Sequence, residues 1–313
     1  MTARAAVFAY HNVGVRCLKV LLAHGVDVPL IVTHHDDPRE DIWFGSVERT
    51  AAEYGIPAIA PDDPNDSGIV AQVSALRPDF LFSFYYRRML APPLLAVAPR
   101  GALNMHGSLL PKYRGRAPVN WAVLHGEKET GATLHYMAEK PDSGDIVGQT
   151  AVPILPDDTA HEVFDKVVVA AELTLHAALP ALLSGKAPRL PQDLRRGAYF
   201  GARRPEDGVI DWSQSATAIH NLVRAVAPPY PGARTSVAGR PARVLRTRVL
   251  AAAAPAGPTS TLSVEEGWIV ARCGGGGLLA VLELEIDGEP MGPQAFAARI
   301  GSAPLGAEEP ETP

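Results

Sequence analysis

Between residues 7 and 104, short apolar runs alternate with stretches of helical periodicity, and this alternation restricts the fold more than any other feature. Residues 7–10 read as a buried first strand, and residues 13–24 as a helix closed by Gly25. The β-branched residues 28–33 predict a second strand. Helices follow over 44–54, ended by Gly55, and over 69–76, stopped at Arg77-Pro78. Residues 80–84 and 102–104 continue the series as strands. Strands and helices in turn predict an α/β protein with a doubly wound, Rossmann-like parallel sheet. Ligands of such sheets sit beyond the carboxyl ends of the strands.

After a short helix over 119–124 the pattern changes. Residues 132–137 and 146–153 read as two strands around the turn Pro141-Asp142-Ser143-Gly144. Residues 159–183 form a long helix with Thr159 as its N-cap. From residue 207 onward come short β-like runs at 235–237, 242–249, 268–271 and 278–286, with a glycine loop over 274–277. They predict a small β-rich C-terminal domain resembling an open barrel. The expected organisation is a first domain over 1–190, a connector over 191–206, the β-rich domain over 207–301 and a frayed tail over 302–313.

Charge narrows the partners. The net charge is −5, but residues 186–250 hold 12 basic and 4 acidic residues, and residues 251–313 hold 2 and 9. A net negative chain is poorly suited to general nucleic-acid binding, whose affinity comes from neutralising phosphates. No nucleic-acid partner is expected. The basic segment reads either as a solvated surface or as a meeting place for a small anion. Cys17 and Cys273 cannot make a disulfide framework and suit a reducing compartment. The N-terminus is too polar for a secretory signal, and no run of about 18 apolar residues is present. A cytoplasmic protein without membrane insertion is expected. The sequence does not give the oligomeric state.

Two cofactor classes are disfavoured. The first strand is followed by His11-Asn12-Val13-Gly14 rather than the G-x-G-x-x-G that lets a pyrophosphate approach the backbone, so NAD is not expected. The adjacent side chains of His34-His35-Asp36-Asp37 cannot all converge on one ion, so this reads as a polar loop and no metal is expected.

The chemistry concentrates between Asn104 and Asp142. Residues two apart on a strand share a face, so Asn104 and His106 project together at a strand end. A long loop with Lys112, Arg114 and Arg116 follows. An amide can hold a developing oxyanion, an imidazole can move a proton, and a carboxylate at Asp142 can orient that imidazole. An isolated N-x-H is more often a strand-end histidine satisfied by its neighbours, so this constellation alone leaves both readings open.

The run Asn104-Met105-His106-Gly107-Ser108-Leu109-Leu110-Pro111-Lys112-Tyr113-Arg114-Gly115-Arg116-Ala117-Pro118, with Asp142-Ser143-Gly144, resembles the signature of the 10-formyltetrahydrofolate-dependent formyltransferases. The similarity covers roughly residues 4–300. It is nearest to formyltransferase domains that act on UDP-4-amino-4-deoxy-L-arabinose in lipid A modification, a polymyxin-resistance pathway. Phe8-Ala9-Tyr10-His11, Phe82-Ser83-Phe84-Tyr85-Tyr86-Arg87, Lys112-Tyr113-Arg114-Gly115-Arg116 and Arg224-Ala225-Val226 leading to Tyr230-Pro231-Gly232-Ala233 carry that nearer match.

The resemblance implies that residues 1–190 are the catalytic domain. Asn104 would stabilise the oxyanion, His106 transfer a proton and Asp142 orient His106. It implies 10-formyltetrahydrofolate as co-substrate along Arg88, Met89, Leu90, Arg116, Ala138, Glu139, Lys140, Pro141 and Asp142. Arg88 departs from the histidine expected there, and Lys140 and Pro141 also vary. The acceptor, a small sugar nucleotide, would meet Tyr10, His11, Arg204, Tyr230, Pro231 and Gly232. Rivals are another nucleotide-linked aminosugar or methionyl-tRNA, the latter opposed by the acidic residues 36–41. Relatives fuse this domain to an NAD-dependent dehydrogenase. Its fingerprint is missing here, so this chain is expected to formylate only.

Overall fold

The computed structural model describes residues 2–38, 40–256 and 260–306, which form two compact units. The first comprises the chain up to Pro118, Glu129–Pro153 and Phe164–Gly201. Its strands are β1 (Arg4–Ala9), β2 (Asp27–Val32), β3 (Ala58–Ile59), β4 (Phe80–Phe84), β5 (Ala102–His106), β6 (Arg114–Gly115), β7 (Glu129–Tyr136), β8 (Ile146–Pro153) and β9 (Tyr199–Phe200). Its helices are α1 (His11–Ala23), α2 (Val47–Glu53), α3 (Ser67–Ala75) and α4 (Pro92–Leu95). Two further helices, α5 (Pro118–Leu124) and α6 (Ala160–Leu183), have residues in both units.

Among the described residues the main sheet of this unit runs β3-β2-β1-β4-β5-β7-β8. The strands from β3 to β5 are parallel, as the alternation predicts, and β7 and β8 extend the sheet antiparallel. The chain steps outward from β1 to β2 and β3, then returns to β4 on the other side of β1. That reversal opens a crevice at the carboxyl ends of β1 and β4, where a doubly wound sheet binds its ligand. All five residues of β4 are buried, as expected of a strand covered on both faces.

Local chemistry sets the element ends. Ser46 accepts a hydrogen bond from the Arg49 N–H and starts α2 at Val47, three residues later than the sequence pattern suggests. Phe44 stays outside that helix, its ring stacked 3.8 Å from His11. Thr159 and Glu162 form a reciprocal capping box at the start of α6. By length and composition α6 is apolar enough to cross a membrane, yet it carries Asp165, Lys166 and Glu172. Its Val167, Ala170, Ala171, Leu175, Leu179 and Leu182 are buried.

The second unit takes Val119–Lys128, Ile154–Val163 and the chain from Ala202. Its strands are β10 (Ala233–Val237), β11 (Arg240–Ala251), β12 (Thr261–Glu265), β13 (Trp268–Arg272), β14 (Leu278–Ile286), β15 (Glu289–Pro290) and β16 (Ser302–Gly306), with helices α7 (Ala216–Val226) and α8 (Pro293–Arg299). The ladder β11-β10-β16-β12-β13-β14 closes where β14 pairs with β11, giving a six-strand barrel around Ile219, Val223, Val244, Leu262, Ile269, Leu279, Val281 and Phe296. The β-rich barrel expected from the sequence is present, and part of the expected frayed tail belongs to it. Residues 302–306 are the sixth stave, paired with β10 and β12, and closure removes the edges those strands would otherwise expose. Residues 307–313, the rest of the expected tail, lie outside the described residues.

Many cations of the basic segment have partners inside their own unit. Arg195 meets Asp193, Arg240 meets Asp287, Arg243 meets Glu285, and Arg248 meets Asp157. Arg224 is buried and donates to the carbonyls of Val123 and Asp158. The expected connector is more than a linker, because Tyr199–Phe200 pairs with Arg114–Gly115 and Arg114 donates to the Gly197 carbonyl.

Candidate active site

Asn104 and His106 stand on β5, and Asp142 comes from the turn after β7. His106 is buried, and its Nε2 lies 2.8 Å from the Tyr113 carbonyl. A carbonyl only accepts, so Nε2 carries the hydrogen and Nδ1 is the nitrogen left for proton traffic. Nδ1 faces Asp142 Oδ1 at 3.6 Å. The other Asp142 oxygen accepts the Gly115 N–H at 2.8 Å. Burial opposes the Asp142 charge, but the neighbouring His106 and His135 and the Gly115 N–H outweigh it and hold the carboxyl well below the usual carboxylate range.

The turn that carries Asp142 is tightly built. Asp142 has a left-handed φ of 51°, a region that aspartate tolerates better than most residues. A Cβ at Gly144 would collide with the Tyr136 carbonyl, which explains the glycine of Asp142-Ser143-Gly144. A Cβ at Gly107 would run into the Tyr85 hydroxyl, so a larger residue after His106 would displace that tyrosine.

Sequence reasoning missed His135. It pairs directly across from Asn104 in the β5–β7 ladder. Its Nδ1 donates to the Tyr136 carbonyl at 2.8 Å, which fixes the plane of the ring. Its Nε2 lies 3.3 Å from Asn104 Nδ2 and 3.5 Å from Asp142 Oδ1. His135 therefore joins the Asn104 amide and the Asp142 carboxylate in one polar cluster. Only the antiparallel register brings this residue, 31 positions away, beside Asn104.

The remaining expected positions fall in several places. Arg88 and Met89 are exposed after β4, while Leu90 is buried in an apolar cluster with Tyr86, Leu94 and Ala98. Val97 and Met137 pack against that cluster. Ala138, Glu139 and Lys140 form the exposed arm of the turn that leads through Pro141 to Asp142. Arg116 is exposed and its N–H donates to the Phe200 carbonyl.

Tyr10 and His11 lie at the carboxyl end of β1, beside the switch-point crevice, but their side chains are buried in an aromatic cluster. Tyr10 donates to Asp36 at 2.7 Å, and burial and that carboxylate push its phenol up. His11 packs against Trp43, Phe44 and Phe164. In the second unit Arg204 is exposed beside Glu206, and Tyr230-Pro231-Gly232 is the turn from α7 to β10. Among the described residues no cluster of metal-ligating side chains occurs.

A mostly parallel sheet that brings Asn104, His106 and the Asp142 turn together, followed by a closed antiparallel barrel, defines a two-domain protein of the Rossmann-like α/β class. The chain belongs to the formyl transferase family: residues 15–179 match the family's "Formyl transferase" domain and residues 203–301 its "Formyl transferase, C-terminal domain". It is a formyltransferase by that membership.

Solved structures share the fold. An N-formyltransferase from Helicobacter canadensis in complex with folinic acid and dTDP-3-aminofucose is 19% identical, with a TM-score of 0.69 over 90% of this chain and 99% of that one. WlaRD, a sugar 3N-formyl transferase in the presence of dTDP and 5-N-formyl-THF, is 18% identical, with a TM-score of 0.71 over 92% and 99%. A sugar N-formyltransferase from a Shewanella species is 18% identical, with a TM-score of 0.61 over 75% and 92%.

Proposed function

We propose that the chain transfers a formyl group from 10-formyltetrahydrofolate to the amine of a nucleotide-linked aminosugar, with UDP-4-amino-4-deoxy-L-arabinose as the preferred acceptor. The observation that carries the reading is the meeting of Asn104, His106 and Asp142, with His106 Nδ1 turned toward a carboxylate held ionised. The acceptor's identity rests on the resemblance carried by the β1 and β4 tips and the Tyr230-Pro231-Gly232 turn.

The residues fit a folate. Arg88, Met89 and Leu90 would line one side and Ala138 to Asp142 the other. The apolar surface of Leu90, Val97 and Met137 suits a flat heterocycle. The folate supplies the formyl group, and side chains of the protein do the rest. The Asn104 NH2 group, beside His135, faces the oxygen on which negative charge develops. His106 Nδ1 takes the proton that the attacking amine must lose and returns it to the departing nitrogen. Asp142 keeps that imidazole oriented and stabilises its charged form. The acidic loop after β2 and the internally paired arginines argue against a tRNA acceptor.

The test incubates the pure protein with 10-formyltetrahydrofolate and, separately, UDP-4-amino-4-deoxy-L-arabinose, another UDP-aminosugar, a dTDP-aminosugar and charged initiator tRNA. Mass spectrometry then looks for a formyl adduct. Formylation of the arabinose compound is expected. A product with another sugar alone would move the acceptor assignment, and a product with tRNA alone would overturn the sugar reading.

A further inference from the structure

Two side-chain amides outside the trio of Asn104, His106 and Asp142 grip the backbone of the two segments assigned to the folate. Asn65 lies just before α3, in a loop fixed by its own N–H donating to Asp63 Oδ1 at 2.9 Å and by the Asp66 cap of the helix. Its Nδ2 donates to the Met89 carbonyl at 3.0 Å, and its Oδ1 accepts the Ala91 N–H at 2.7 Å. Side-chain amide and main chain thus pair as two strands would. A trans peptide points its carbonyl and N–H in opposite directions. With the Met89 carbonyl and Ala91 N–H turned to Asn65, the Leu90 N–H and carbonyl face the other way.

Gln192 does the same for the second segment. Its Nε2 donates to the carbonyls of Asp142 and Gly144, at 3.1 and 2.6 Å. It bridges Ser143, in the turn that holds Asp142 at its left-handed φ. Ser143 Oγ donates to the Lys140 carbonyl and tightens the same turn from within. Both amides come from loops, and among the described residues their hydrogen bonds go to these two segments and, for Asn65, to the neighbouring Asp63.

We propose that Asn65 and Gln192 are positioning residues that hold residues 88–91 and 138–144 in their folate-binding geometry before the ligand arrives. The proposal rests on the folate assignment made above. A segment ordered in advance spends none of the binding energy on its own ordering. The two clamps differ in reach. Asn65 acts on binding alone, whereas Gln192 also aims the Asp142 carboxylate and so acts on turnover.

The test measures the Kd of 5-formyltetrahydrofolate by calorimetry for the full chain and for Asn65→Ala, Asn65→Asp, Gln192→Ala and Gln192→Glu. No acceptor is needed. Each variant is expected to bind about tenfold more weakly, with the Asp and Glu forms at least as weak as the Ala forms, since a carboxylate cannot donate to a carbonyl. With folate varied at fixed acceptor, Asn65→Ala shows its loss in the KM for folate, whereas Gln192→Ala also lowers kcat. Hydrogen exchange on the unsubstituted protein, with and without the ligand, reports separately on where folate binds. Protection of both segments combined with an unchanged Kd in both Asn65 variants overturns the clamp and leaves the folate assignment standing, whatever happens to Tm. Absence of protection at residues 88–91 overturns the folate assignment itself. If a Gln192 variant fails to fold, the Asn65 pair decides.

Discussion

His106 in the first unit and His220 in the second make an instructive pair. Both imidazoles are buried, both have Nε2 on a backbone carbonyl, and both have an aspartate oxygen 3.6 Å away. They differ in the second nitrogen and in the shielding of the carboxylate. Nδ1 of His220 accepts the Thr247 hydroxyl at 2.9 Å, so its ring is used up in holding α7 against β11, and the Asp157 side chain is 52% exposed. Nδ1 of His106 is turned to Asp142, whose side chain is only 13% exposed. Burial pushes the His220 pKa down, which suits a ring that stays neutral and structural. Nearness of a histidine to an aspartate therefore does not mark chemistry. The proposed role of His106 rests instead on an imidazole nitrogen left for a proton, beside a carboxylate kept ionised away from water.

The comparison can be broken by substitution. Asp142→Asn and His106→Ala are each expected to lower kcat by about three orders of magnitude, within the span of general acid–base and oxyanion contributions. His220→Gln should leave kcat within a few fold and register in Tm instead. A comparable loss of turnover in His220→Gln, or near-normal turnover in Asp142→Asn, removes the distinction.

Asn104→Ala should cost about 10²–10³ in kcat, the usual price of one oxyanion donor. His135→Phe removes the polar neighbour of the Asn104 amide and the Asp142 carboxylate and should cost about tenfold, with His135→Gln, which can still hydrogen-bond there, recovering part of it. Equal activity of the Phe and Gln forms would mean that His135 only fills space.

Smaller effects belong to the scaffold. Ala303 is 2% exposed on the stave that closes the barrel. Ala303→Asp puts an unpaired charge into that core and should lower Tm by more than about 5 °C in a thermal melt, with Asn104, His106 and Asp142 chemically untouched. The mildest effect is on pH. Burial, aided by Arg87 and Arg88, pushes His34 down to about 4, and burial pushes His220 down as well. Their unfolded forms take up a proton near pH 6.5, before the folded forms do. The stability they contribute is complete above that value and declines as pH falls toward the folded values. Tm should therefore drop between about pH 6.5 and 4, and His34→Gln should flatten that slope.

Much of this was legible in the chain. The alternation gave the sheet, the strands over 80–84, 146–153 and 278–286 match β4, β8 and β14, and Asn104 and His106 share a face because side chains alternate along a strand. The N-cap residue Thr159 placed the start of α6, and the structure adds Glu162 as its reciprocal partner. The misses are of another kind. The closing stave at 302–306 lies in a Pro- and Gly-containing stretch with weak strand character, and it pairs only because β10 and β12 offer edges. Helices α7 and α8 sit among β-like runs and were overlooked.

Local sequence determined what each segment prefers, because periodicity, caps and turn residues act over a few positions. It determined the family signature and pointed to the trio proposed for catalysis. Tertiary structure decided which distant groups meet: His135 across from Asn104, Gly115 on Asp142, Asn65 on Met89 and Ala91, and Gln192 on the Asp142 turn. Such meetings depend on strand register and on loops returning from elsewhere in the chain. A one-residue slip of β7 would turn His135 to the other face of the sheet.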